Sequence, residues 1–175
     1  MIDKARRKQL AFYLRQFSVG NITNDDYEKN IRKHISYGWL PEQYYRAKQA
    51  ATDDHAFVSI LDMSWGLYSD LKKHYLKGGY ELNNEQLNVI ARCILFLQSD
   101  LEYEWPEHKI SIARISLVDW LLTIVTLGYR MKQLAKKAQA ELGEMEKLGD
   151  TEVWPFFRID DYDKARATPV FLNSA

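Results

Sequence analysis

The chain has one cysteine, Cys93, in 175 residues. A lone thiol inside an apolar run cannot supply a disulfide framework, and this usage suits a reducing compartment, so the expected localisation is cytoplasmic. A surplus of one charge is also missing: 24 Lys and Arg stand against 24 Asp and Glu. Nothing global draws such a chain to nucleic acid or anionic lipid, and neither a nucleic-acid nor a membrane partner is expected. Long hydrophobic runs are absent. The most apolar window, Leu117 to Gly128, is too short to span a bilayer and contains Asp119. The N-terminal run MIDKARRKQLAFYL is charged without an apolar centre, so a secretory signal is not expected. There is no Gly-x-Ser-x-Gly, no glycine-rich phosphate loop and no His-Glu-x-x-His, which leaves nucleophilic, nucleotide and zincin chemistry without a motif.

What remains is 46% hydrophobic and 27% charged, the balance of an ordinary globule. The length suits one domain over residues 1–175. Helical periodicity recurs and strand-like alternation is nearly absent, so the expected class is an all-α bundle of about five main helices. The first runs from Asp3 to Phe17 with Leu10, Tyr13, Leu14 and Phe17 inward and Arg6, Arg7, Lys8 and Arg15 mostly outward; Gly20 stops it. Asn24 is positioned to cap a second, to about Ile35. A third opens at Asp53 or Asp54 and keeps its period through Trp65, Tyr68 and Leu71 to Tyr75. Asn83 caps a fourth, whose inward residues are Leu87, Ile90, Ala91, Ile94, Leu97 and Leu101; apolar nearly all round, it should be central and run to Glu104. A long fifth helix starts between Glu107 and Ser111 and ends near Leu148, its narrow, charged second half (131–148) expected to project past the core or to pack on the basic first helix. The aromatic-rich tail, 150–175, should pack on the bundle with a short helix at about Asp160 to Ala167.

The candidate chemistry centres on CILFLQSDLEYEWP, Cys93 to Pro106. On a helical wheel Glu102 falls on the core side, where a buried carboxylate needs a partner. The favoured interpretation makes Glu102 a structural carboxylate paired with Arg114. The sharper one is a site of Asp100, Glu102 and Glu104, yet acids two apart do not share a helix face. Metal binding has little support: Asp70 and His74 are four apart, but the four histidines lie in separate segments, and no Glu-x-x-His pair exists. No cofactor is expected. Trp105 and Trp154 each precede a proline, in EYEWP and EVWP. One interpretation has these indoles closing the bundle ends; the other makes them a rigid platform ringed by acids, the composition of a binding hot spot. Glu104, Trp105, Trp154, Asp160 and Asp161 are therefore the candidate partner-binding residues.

The blocks GNITNDDYE (Gly20 to Glu28), LYSDL (Leu67 to Leu71) and ARCILFLQSDLEYEWP, with the closing EVWPFFRIDDYDKA, resemble those of a group of small bacterial helical proteins, a domain of unknown function. The resemblance implies a cytosolic helical protein and no particular chemistry. Two function classes follow. The first is a non-enzymatic protein-binding protein, most concretely immunity- or antitoxin-like, meeting a basic toxin through its acidic, aromatic surface. The second is a helical-bundle enzyme or ligand-binding protein using Asp100 and Glu102.

Overall fold

The computed structural model describes residues 2–38, 44, 53–69, 71–106, 136, 140, 143–144 and 146–168. Every regular element among them is helical: α1 (Lys4–Ser18), α2 (Asn24–His34), α3 (His55–Trp65), α4 (Asn84–Leu97) and α5 (Ile159–Ala167), with short 3-10 turns at Gly78–Tyr80 and Thr151–Val153. No described helix is long and apolar enough to cross a membrane. The expected long fifth helix lies largely outside the described residues, although 143–144 and 146–148 are helical.

α1 begins where Asp3 accepts the backbone N–H of Arg6 at 3.0 Å. It ends in a Schellman turn: Gly20 N–H bonds to the Phe17 carbonyl and Asn21 N–H to that of Gln16, both at 2.9 Å. That turn needs Gly20 at φ 67°, where a side chain would be strained. The buried stripe is Arg7, Leu10, Leu14 and Phe17. Each apolar member contributes about 1.5–3 kcal/mol by leaving water; Arg7 stays on that face only because its charge is answered there.

α2 is capped by Thr23, not by Asn24 as the sequence suggested. Thr23 Oγ1 accepts from Asp26 N–H at 3.2 Å and donates to the Asp26 carboxylate at 2.7 Å. Asn24 is thereby released for another task. Its side chain donates to the carbonyls of Ser69 and Lys72 at 3.2 and 3.0 Å and accepts from His74 N–H at 2.8 Å. Its own N–H bonds to the His74 carbonyl at 3.0 Å.

This capture explains the largest departure from the expected helices. α3 stops at Trp65, and Gly66 and Leu67 N–H close its last turn. Asn24 then takes the backbone groups of the following chain, which no longer serve a helix. Leu71, expected on the core stripe, is 91% exposed.

α4 opens with a capping box between Asn83 and Gln86. It ends at Leu97 rather than Glu104, because Gln98 N–H and the Ser99 hydroxyl close on the carbonyls of the last turn. Its buried face is Ile90, Cys93, Ile94, Phe96 and Leu97. Leu87, at 40% exposure, and Ala91 lie outside the core, so the face is rotated toward Cys93 and Phe96. α1 packs on α4 and α2, and α5 packs on α4. Phe17 stacks on Tyr27 at 4.6 Å, while Phe96 meets Phe156 edge-on at 5.2 Å.

Candidate functional site

The two tryptophan–proline segments are 49 residues apart in sequence, and the fold lays them against each other. Trp105 is 3% exposed and donates its indole N–H to the Phe156 carbonyl at 3.0 Å. Its ring meets Phe157 edge-on at 5.0 Å. The answering bond runs the other way: Trp154 donates its indole N–H to Tyr103 Oη at 3.1 Å. Arg92, on α4, donates to the Trp154 carbonyl at 3.0 Å. Each segment therefore supplies an indole that pins the other. Burial pushes the Tyr103 phenol up to about 12, against the hydrogen bonds with Ser59 and Trp154.

The segment after residue 148 reaches this clamp through a tight corner. Asp150 N–H bonds to the Phe157 carbonyl at 3.0 Å, and the Asp150 carboxylate accepts Ile159 N–H at 2.8 Å, starting α5. Gly149 lies beneath Phe157: a Cβ there would fall 2.7 Å from its carbonyl oxygen and 3.0 Å from its ring.

The clamp holds acids at the surface. Glu102, Glu104, Glu152 and Asp160 are all exposed. Asp161 is half-buried with Lys164 3.6 Å away. Trp105 is enclosed, which removes it from direct contact with a partner; Trp154 keeps partial exposure. The expectation that Glu102 turns back to the core is corrected. The wheel that placed it there assumed a helix to Glu104, and α4 ends at Leu97. Arg114, its expected partner, lies outside the described residues. Asp100 is solvated and paired with Lys4 at 2.7 Å. Asp100, Glu102 and Glu104 are thus surface acids on the irregular strap that leaves α4.

The buried charges lie elsewhere. Arg7 is fully enclosed and grips Asp54 with two bonds, Nε to Oδ2 at 2.5 Å and Nη2 to Oδ1 at 2.8 Å. Its remaining nitrogen donates to the Leu101 carbonyl at 2.8 Å, and its guanidinium lies 5.1 Å from the Phe96 ring centre. Burial works against the Asp54 charge, but Arg7 and the N–H groups of Ala56 and Asp3 outweigh it and hold the carboxyl below its usual range. Next door, Arg6 meets both Asp53 oxygens at 2.7 and 2.8 Å, the Tyr37 hydroxyl at 2.6 Å and the Ile35 carbonyl. Tyr44 donates to Asp53 at 2.6 Å. Burial opposes the Arg6 charge, yet the Asp53 and Tyr44 contacts raise its pKa above the ordinary guanidinium value. Two adjacent arginines are thus locked onto two adjacent aspartates, tying α1 to the start of α3 and to the strap leaving α4.

Sequence pattern alone places Arg7 mostly outward and does not foresee this lattice, although Arg7 keeps the 3-4-3 spacing of Leu10, Leu14 and Phe17 that marks the inward face. Among the described residues no group of three His, Cys, Asp or Glu is placed to hold a metal ion. Cys93 is buried in the core, and burial pushes its thiol far above the ordinary range. Compared with protein-family models, curated proteins and solved structures, the chain matches none.

Proposed function

We propose that this chain is a non-enzymatic binding protein that meets a basic protein partner through the acidic surface beside the indole clamp. One observation carries the proposal: the reciprocal Trp105 and Trp154 bonds immobilise two segments whose exposed side chains include Glu102, Glu104 and Glu152, with Asp160 exposed just beyond them at the start of α5. A rigid display of acids spares a partner the entropy of ordering them and steers a positive surface toward it. Trp154, still partly exposed, and Asp161 extend that surface toward α5. An immunity- or antitoxin-like role, blocking a basic toxin, is the most concrete form. A bacterial origin, cytoplasmic placement, the resemblance group and the five-helix plan with its long fifth helix belong to the same proposal.

The enzyme alternative requires Asp100 and Glu102 to act together in a sheltered place. Both are exposed, and Asp100 faces Lys4.

The test is differential capture. The native chain and a Glu102→Gln, Glu104→Gln, Asp160→Asn, Asp161→Asn variant are each immobilised and exposed to the same bacterial extract. Basic proteins retained by the native chain and lost with the variant support the proposal. Identical retained sets reject it.

A further inference from the structure

A second surface lies on the opposite side of the charge balance. The run LKKHYLKGGY, Leu71 to Tyr80, holds three lysines and no acid, with Asp70 and Glu81 bracketing it. This local surplus is invisible in a net charge of zero. The run is also fixed in place. Asn24 takes the Lys72 carbonyl and both backbone groups of His74. His74 and Leu76 are buried, and His74 Nδ1 lies 2.8 Å from the Lys72 carbonyl. Tyr80 stacks on His74 at 4.1 Å, and the Lys77 stem passes over Gly20.

What this anchored loop turns outward is unusual in kind. Leu71 is almost wholly exposed, and Tyr75 and Tyr80 are each about half exposed (50% and 48%). Lys72, Lys73 and Lys77 are exposed among them. Lys73 has only a loose contact, 3.9 Å to a half-exposed Asp26. A protruding aliphatic side chain flanked by lysines and tyrosines is the composition of an interfacial membrane contact. Leucine enters the acyl boundary, tyrosine sits at headgroup level and lysine meets anionic headgroups.

We infer that the Leu71–Tyr80 loop docks on an anionic lipid surface, Leu71 inserting while Lys72, Lys73 and Lys77 contact the headgroups. Single-stranded nucleic acid is the competing polyanion. It would use aromatic faces for stacking, but one face of Tyr80 is already covered by His74, and the most exposed apolar residue of the loop, Leu71, has no ring. The docking is peripheral and does not depend on the acidic surface at the other segments.

The full chain is sedimented at low salt with vesicles of phosphatidylcholine alone and of phosphatidylcholine mixed equally with phosphatidylglycerol. Binding is expected only to the anionic vesicles, weakening about fivefold for each Lys72→Gln, Lys73→Gln or Lys77→Gln change. Leu71→Ser should weaken it at moderate salt, where headgroup attraction is screened. Leu71, Lys72 and Lys73 contribute nothing to the core, so unchanged circular dichroism is the control on folding. No binding to anionic vesicles overturns the inference, as does binding that ignores all four substitutions. Lysine-dependent binding to a single-stranded oligonucleotide in place of vesicles overturns it in favour of nucleic acid.

Discussion

The indole N–H of Trp105 reaches the carbonyl of Phe156 at 3.0 Å, joining the strap that leaves α4 to the strap that enters α5. With the Trp154–Tyr103 bond it makes a two-point latch. Neither bond is strong alone: a net hydrogen bond contributes about 0.5–1.5 kcal/mol. Their value here is positional, since they fix where the exposed acids stand.

Breaking one point of the latch should cost little and be coupled to its partner. Trp154→Phe and Tyr103→Phe are each expected to lower stability by about 1 kcal/mol, and the double variant by less than the sum. Chemical denaturation of the four chains gives the cycle; strict additivity would mean the bond is not formed in solution.

Gly149→Ala is expected to destabilise by about 1–3 kcal/mol, because the new methyl meets the Phe157 carbonyl and ring and forces the corner open. Gly143→Ala is the comparison, since nothing lies within 4 Å of a Cβ there. Equal melting temperatures for the two variants would contradict the corner geometry.

Removing one member of the buried Arg7–Asp54 pair leaves the other charge enclosed without its partner. Arg7→Ala or Asp54→Ala should therefore cost about 3–5 kcal/mol, and Arg7→Lys should not restore the forked contact. Lys4→Ala, which frees only the solvated Asp100, should change stability by about 0–1 kcal/mol. Urea unfolding midpoints rank the four variants.

The depressed Asp54 carboxyl sets a pH dependence. A carboxylate with a lower pKa folded than unfolded contributes stability that is complete above its unfolded value of about 3.9 and lost as pH falls through the folded value. Stability should be flat with respect to this group near neutrality and decline below about pH 4. In Asp54→Asn that acid-side slope should be shallower. An unchanged slope, measured by denaturation at several pH values, would mean Asp54 is not held by Arg7.

Cys93 should resist Ellman's reagent in the native chain and react at once in denaturant, since it is enclosed and its thiol is held protonated. Fast native labelling would place α4 away from the centre.

The parts of this fold legible in the sequence were those set by local chemistry. Asp3 and Asn83 announced helix starts, and Gly20 announced a stop. The short helix expected at about Asp160 to Ala167 forms at Ile159–Ala167. The misreadings came from long-range capture. α3 keeps an apolar period to Tyr75, but Asn24, 45 residues earlier than Ser69, takes the backbone that would have continued it. Glu102 was assigned to the core by extrapolating a wheel past Leu97. Arg7 was assigned to the surface by its type, although its spacing was that of the core and only Asp54, far along the chain, makes that burial tolerable. The likeness of EYEWP and EVWP singled out both indoles, but no pattern within either segment says that each binds the other segment.

The most direct test of the acidic-surface proposal is an association rate. With the basic partner identified by differential capture, binding is followed for the native chain and the Asp160→Asn, Asp161→Asn variant at low and high salt. The double variant should melt within a degree or two of the native chain, because surface charges contribute about 0–1 kcal/mol. The expected result is several-fold slower association of the variant at low salt, with the two rates converging at high salt as steering is screened. Equal rates at low salt would contradict the proposal and leave these acids a solvated face.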